Sequence, residues 1–100
     1  MYIYNVTVKV EQHRADEWLT WMRETHIPEV IATGYFTEHR ICRLLDDGDM
    51  DGITFAIQYT LNTLDDFLQY SSLSAPALQR ASAEKFGHDA VAFRTIMEIL

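Results

Sequence analysis

The stretch that decides the fold is residues 13–36, HRADEWLTWMRETHIPEVIATGYF. At about 3.6 residues per helical turn, its apolar side chains and one histidine share a side: Trp18, Leu19, Met22, His26 and Val30. Pro28 lacks an amide hydrogen and would clash with the carbonyl of Glu24, so we expect the helix to kink or restart near residues 25–27. Gly34 can adopt a positive φ and is expected to end it. Such an amphipathic helix needs a sheet to cover.

Four segments around this helix are predicted to be strands. Residues 2–10, 53–60 and 91–100 alternate between apolar and polar side chains, as half-buried strands do. Residues 36–45 carry apolar and charged residues on both faces, which suits a strand at the edge of a sheet. The polar, glycine-containing segment 46–52 has the composition of a turn.

A second interrupted helix is predicted between the third and fourth strands. Thr63 is a suitable N-cap, Ser74 before Ala75 and Pro76 suggests a restart, and Gly87 ends the segment. Its buried side is expected to contain Leu64, Phe67 and Leu68. The resulting β-α-β-β-α-β order over residues 1–100 predicts a single α+β domain with a ferredoxin-like fold: a four-stranded antiparallel sheet with two kinked helices on one face.

The alternation also divides the sheet into a helix-covered face and an open face. The residues expected against the helices are Tyr4, Val6, Val8, Phe55, Ile57 and Phe93. The residues expected on the open face are Asn5, Thr7, Lys9, Thr54, Gln58, Thr60, Arg94 and Glu98. Because that face mixes polar groups with apolar ones, two copies closing on each other would form a dimeric α+β barrel with a partly polar interior.

The composition and net charge of the chain limit the kinds of partner that we expect. The chain has 100 residues, 48% of them hydrophobic, and a formal net charge of −7 without a basic block. Nucleic acid and anionic membranes attract positive patches, so neither is an expected partner. Cys42 is the single cysteine, which is compatible with a reducing compartment. Without a signal-peptide pattern or a long apolar run, the sequence indicates a cytoplasmic protein.

The candidate ligand-binding residues are Asn5, Gln58, Arg94, Arg40 and Arg43. We expect them inside or at the rim of the barrel, where amides and an arginine could hold a carboxylate or polarise a ketone. In the alternative interpretation, Arg94 pairs with a carboxylate such as Glu98 and the amides bond across the dimer seam.

His26 and His39 are the weak catalytic candidates. His26 lies on the apolar stripe beside the proline, where it could act as a base or contact a ligand, although a ring that caps the helix break is favoured. His39 and Cys42 provide at most two metal ligands and point to opposite faces of a strand, so a zinc centre is not expected. No cofactor motif is present in the sequence.

Asp47, Asp49 and Asp51, followed by Gly52, match the opening of a calcium-binding loop. The twelfth position of that motif is Gln58 instead of a bidentate glutamate, and strands flank the segment instead of helices. A solvated acidic hairpin is therefore favoured, with weak calcium binding left open.

Short motifs spread over nearly the whole chain resemble a known family. They are YNVTV at 4–8, EWL at 17–19, WM at 21–22, HIP at 26–28, ATG at 32–34, YT at 59–60, FG at 86–87 and AFRT at 92–95. Together they resemble a small bacterial family of unknown function among the dimeric α+β barrel proteins. The resemblance implies the fold and homodimerisation and carries no established activity. More distant relatives on this barrel include cofactor-free monooxygenases and haem-degrading enzymes.

Three functions remain open at this point. The leading hypothesis is a homodimeric module that binds a small molecule in the barrel between the two sheets. The alternative is a cofactor-free monooxygenase acting on a small aromatic or carboxylate substrate, with His26 or His39 as its base. The third is a purely structural dimer whose barrel is filled by its own side chains.

Overall fold

The computed structural model describes residues 1–45 and 52–100. Its strands are β1 (Tyr2–Glu11), β2 (Glu38–Arg43), β3 (Gly52–Leu61) and β4 (Ala90–Glu98), and its helices are α1 (Ala15–Trp21), α2 (Ile27–Ala32), α3 (Leu64–Leu73) and α4 (Ala75–Phe86). The strands form one antiparallel sheet in the order β2-β3-β1-β4. This arrangement confirms the predicted ferredoxin-like topology, with β2 at an edge.

Between α1 and α2, the first helix widens instead of breaking. Met22–His26 forms one π-helical turn, and the α-helix resumes at Ile27 with Pro28 in its first turn. A wider turn gives the chain room for a proline ring that would otherwise clash with the preceding carbonyl. The predicted irregularity is therefore confirmed, and it places His26 at the end of the wide turn.

The second helix is interrupted where the sequence predicted. The Thr63 hydroxyl accepts a hydrogen bond of 3.1 Å from the Asp66 amide at the start of α3. Pro76 lies in the first turn of α4, and Gly87 follows α4 with a φ of 55°. The buried side of α3 differs from the prediction, because Tyr70 is buried whereas Leu64 and Leu68 are exposed.

The core lies between the helices and one face of the sheet. Trp18, Val30 and Phe86 from the helices pack there with alternate residues of β1 and β3, among them Tyr4 and Ile57.

Within residues 1–45 and 52–100, no helix combines the length and apolarity needed to cross a membrane.

The prediction of which side of β4 faces the helices is wrong. Arg94 pairs with Val6 and therefore lies on the helix-covered face, whereas Phe93 pairs with Thr7 on the open face. Phe93 is 69% exposed in the protomer. Alternation shows which residues share a face, but apolarity points to the wrong face here because the residues that β4 turns towards the core include the small Ala90 and Ala92, whereas its large Phe93 is on the open face.

Candidate functional site

Two small chambers lie between the helices and the sheet. The first, the tyrosine chamber, is bordered by Tyr4, Tyr59 and Tyr70 and has a volume of about 30 Å³. The second, the alanine chamber, lies beside Ala90 and Ala92 and has a volume of about 40 Å³. Each volume exceeds the roughly 10–15 Å³ that one water molecule requires. Both chambers can therefore hold solvent or a very small solute.

The two chambers adjoin each other, since they share five lining residues. Val6, Met22, His26, Gln79 and Arg94 line both of them. Gln79 and Arg94 also line a groove of about 300 Å³ between α4 and β4, which we call the outer groove. These two side chains therefore line the outer groove and both chambers.

Arg94 is the positively charged residue that lines the two chambers. It lies on the helix-covered face of the edge strand β4 and is itself exposed. Where both partners are described residues, the ion pairs are those of Arg14 with Glu17 at 3.2 Å and with Asp89 at 3.0 Å. The proposed alternative of an Arg94–Glu98 pair is therefore not observed, and no carboxylate among the described residues lines either chamber.

The tyrosines are packed so that their hydroxyls share one polar region. The ring centroids of Tyr4 lie 6.0 Å from Tyr59 and 5.6 Å from Tyr70. Burial raises the pKa of Tyr4, while Arg94 and Gln79, which are close enough to bond its hydroxyl, oppose that rise. Burial also raises the pKa of Tyr59 and of Tyr70, so all three phenols stay protonated and can donate hydrogen bonds.

His26 supplies a different group at the same place. Its Nδ1 atom is buried without a hydrogen-bond partner in the described part of the chain, so this nitrogen does not cap the helix break. Its ring stacks on Trp21 with centroids 4.9 Å apart. Burial, reinforced by the charge of Arg94, lowers the pKa of His26 to about 4, so the ring is neutral at pH 7.

The structure separates the other predicted ligand-binding residues into two groups. Asn5, Gln58 and Arg40 share the open face, where the Gln58 amide donates to Asn5 at 3.4 Å. Asn5 also donates to Thr7 at 3.0 Å. Polar residues of the open face thus bond one another inside one protomer and do not meet Arg94.

Arg43, His39 and Cys42 lie on β2, away from the chambers. Arg43 lies over the Phe55 ring at 5.9 Å, and the His39 ring is 6.4 Å from that of Tyr59. His39 and Cys42 point to opposite faces, because they pair with Tyr59 and Ala56 respectively. The predicted calcium-binding residues Asp47, Asp49 and Asp51 lie outside the described residues.

Sequence reasoning missed the tyrosines and Gln79. A signal for the tyrosines was present, since Tyr4 and Tyr59 occupy core-facing positions of strands that pair directly with each other. A buried tyrosine usually finds a partner for its hydroxyl, so two tyrosines at such positions indicate a polar region inside the core. Gln79 gave no comparable signal, because its position depends on how α4 packs.

The sheet, the helices on one face and the polar chambers between them define an α+β protein of the ferredoxin-like class. Residues 1–100 match the domain of unknown function DUF4286, and the chain belongs to that family. No curated protein gives a significant match.

Solved structures share the fold at low sequence identity. A dimeric ferredoxin-like protein from an uncultured marine organism is 6% identical with a TM-score of 0.72, and covers 100% of this chain and 95% of its own. A protein of the ethyl tert-butyl ether d (EthD) family from Bacillus halodurans is 11% identical with a TM-score of 0.71, covering 100% of both chains. SnoaB, a cofactor-independent oxygenase from Streptomyces nogalater, is 13% identical with a TM-score of 0.67. The match covers 99% of this chain and 93% of the SnoaB chain.

Proposed function

We propose that the protein is a cytoplasmic homodimer that binds a small molecule between the helices and the sheet of each protomer, around Arg94. The observation that carries this proposal is the presence, at two adjoining chambers, of an arginine without a carboxylate partner among the described residues and of a histidine whose buried Nδ1 has no partner among them. Buried polar groups are normally satisfied, so the unpartnered Nδ1 of His26 favours a bound molecule near Arg94. The proposed site therefore lies within one protomer, whereas the sequence led us to expect it between the sheets of two protomers.

The support for a homodimer comes from the open face of the sheet. Val91, Phe93 and Met97 are 51%, 69% and 40% exposed, and they lie together on that face of β4. Contiguous exposed apolar side chains are typical of interaction surfaces. A solved structure with this fold is described as a dimeric ferredoxin-like protein, which supports a second copy as the partner. Asn5, Gln58 and Arg40 then belong to the dimer seam.

Native mass spectrometry tests the binding function. We expect protein purified gently from its own source to appear as a dimer carrying a defined additional mass. The Arg94→Gln variant should lose that mass because it removes the charge that borders every part of the cavity. Arg80→Gln is the matched control, since it makes the same charge change on an exposed residue of α4 that lines neither chamber. A wild-type dimer without additional mass, or equal retention by both variants, would contradict the proposal.

A second candidate is an enzyme of the cofactor-free oxygenase type. His26 would be its base, since the ring lines both chambers and is neutral at pH 7. The oxygenase SnoaB shares the fold, which is compatible with this chemistry and does not select it. Oxygen uptake that requires the retained molecule and is lost in His26→Gln would distinguish an enzyme from a binding protein.

A further inference from the structure

We propose that the cavity is selective for small monoanions with an oxygen acceptor, of the size of formate or acetate, held between Arg94 and the tyrosine hydroxyls. This inference rests on the proposed function, because it names the class of ligand that the same cavity takes. It goes further by excluding neutral, cationic and multiply charged ligands. Three properties of the chambers lead to this class of ligand: the sign of the local charge, the amount of that charge and the space available.

The sign of the local charge follows from the groups that line the tyrosine chamber. Arg94 is the cation, three protonated tyrosines and the Gln79 amide can donate hydrogen bonds, and no carboxylate among the described residues lines the chamber. A guanidinium together with several hydroxyl donors satisfies the lone pairs of a carboxylate oxygen. A cationic ligand would meet Arg94 without any compensating negative charge.

The amount of charge favours a single negative charge on the ligand. Arg94 is the one lysine or arginine among the residues described as lining either chamber. Phosphate sites in proteins typically add several backbone amides of a helix N-terminus or further cations, which these linings do not include. The net charge of −7 also disfavours the approach of a multiply charged anion.

The space limits the size of the ligand. Chambers of about 30 and 40 Å³ that share five lining residues accommodate a group of a few heavy atoms. A larger acid would have to leave its remaining part in the outer groove, with only its carboxylate inside.

Isothermal titration calorimetry with formate and acetate tests the inference, with formamide and acetamide as neutral probes of similar shape. The titrations use chloride-free buffer at fixed ionic strength. We expect the two carboxylates to bind at least about 10-fold more tightly than the amides, because a charge-assisted hydrogen bond is worth more than a neutral one. Arg94→Gln should weaken acetate binding by a similar factor, and Arg80→Gln should leave it unchanged.

Tyr70→Phe provides a second variant that retains the packing ring and removes one hydroxyl. It is expected to weaken acetate binding while the near-ultraviolet circular dichroism of the unliganded protein shows that the core is intact. Equal binding of acetate and acetamide, or equal effects of Arg94→Gln and Arg80→Gln, would overturn the inference. Failure of every probe to bind would also overturn it, whereas a retained molecule in native mass spectrometry would still support the broader binding function.

Discussion

Replacing Phe93 with lysine is expected to weaken the dimer by roughly 30-fold or more, because loss of a central aromatic anchor at an interface costs about 2 kcal/mol or more. Phe93 is the most exposed of the large apolar side chains that β4 places on the open face, at 69%. A lysine there would also place a charged group in the apolar part of the interface. Sedimentation velocity over a dilution series measures the dissociation constant.

Leu68→Lys is the control for this prediction. Leu68 is 56% exposed on α3, so the same substitution is made at an exposed leucine that lies on the helix side of the sheet. We expect its dissociation constant to match that of the wild type. A Phe93→Lys protein that stays dimeric at wild-type affinity, or a Leu68→Lys protein that dissociates, would show that the open face is not the dimer interface.

Acidification is expected to destabilise the protein through His26. Burial lowers the pKa of His26 from the ordinary value of 6.5 to about 4, so between these values the unfolded chain binds a proton that the folded chain does not. The stabilisation is fully present above about pH 6.5 and is lost as the pH falls towards 4. This residue alone should lower the free energy of unfolding by about 2 kcal/mol between pH 7 and pH 5.

Urea denaturation of the wild type and of His26→Gln at both pH values measures this contribution. The glutamine does not titrate, so the variant should lose about 2 kcal/mol less than the wild type on going from pH 7 to pH 5, whatever its absolute stability. His13→Gln makes the same substitution at an exposed histidine and is the control. Identical pH dependence in all three proteins would contradict the burial of a neutral His26.

Much of the fold could be predicted from residue patterns because those patterns are local. The alternation of residues 2–10 and 53–60, the position of Pro28 and the cap at Thr63 each depend on near neighbours in the chain, and each is confirmed. The edge position of β2 is also confirmed, since charged residues on both faces of a strand are tolerated there.

The site could be predicted only in part because it depends on strand orientation and on side-chain packing. Arg94 and His26 were recognised as candidates, but their meeting required knowing that Arg94 pairs with Val6 and not with a residue of the open face. Two alternating faces that both contain apolar residues do not indicate which one the helices cover. Gln79 lies at the site because of the way α4 packs, and no local sequence pattern encodes that packing.

Native mass spectrometry of Phe93→Lys beside Arg94→Gln tests the central claim most directly, because these neighbours on β4 face opposite sides of the sheet. We predict that Arg94→Gln is a dimer without the retained molecule, and that Phe93→Lys is a folded monomer that keeps it, since the cavity lies within one protomer. Dissociation of Arg94→Gln into folded monomers, or loss of the molecule from a folded Phe93→Lys monomer, would instead place the binding site at the dimer seam.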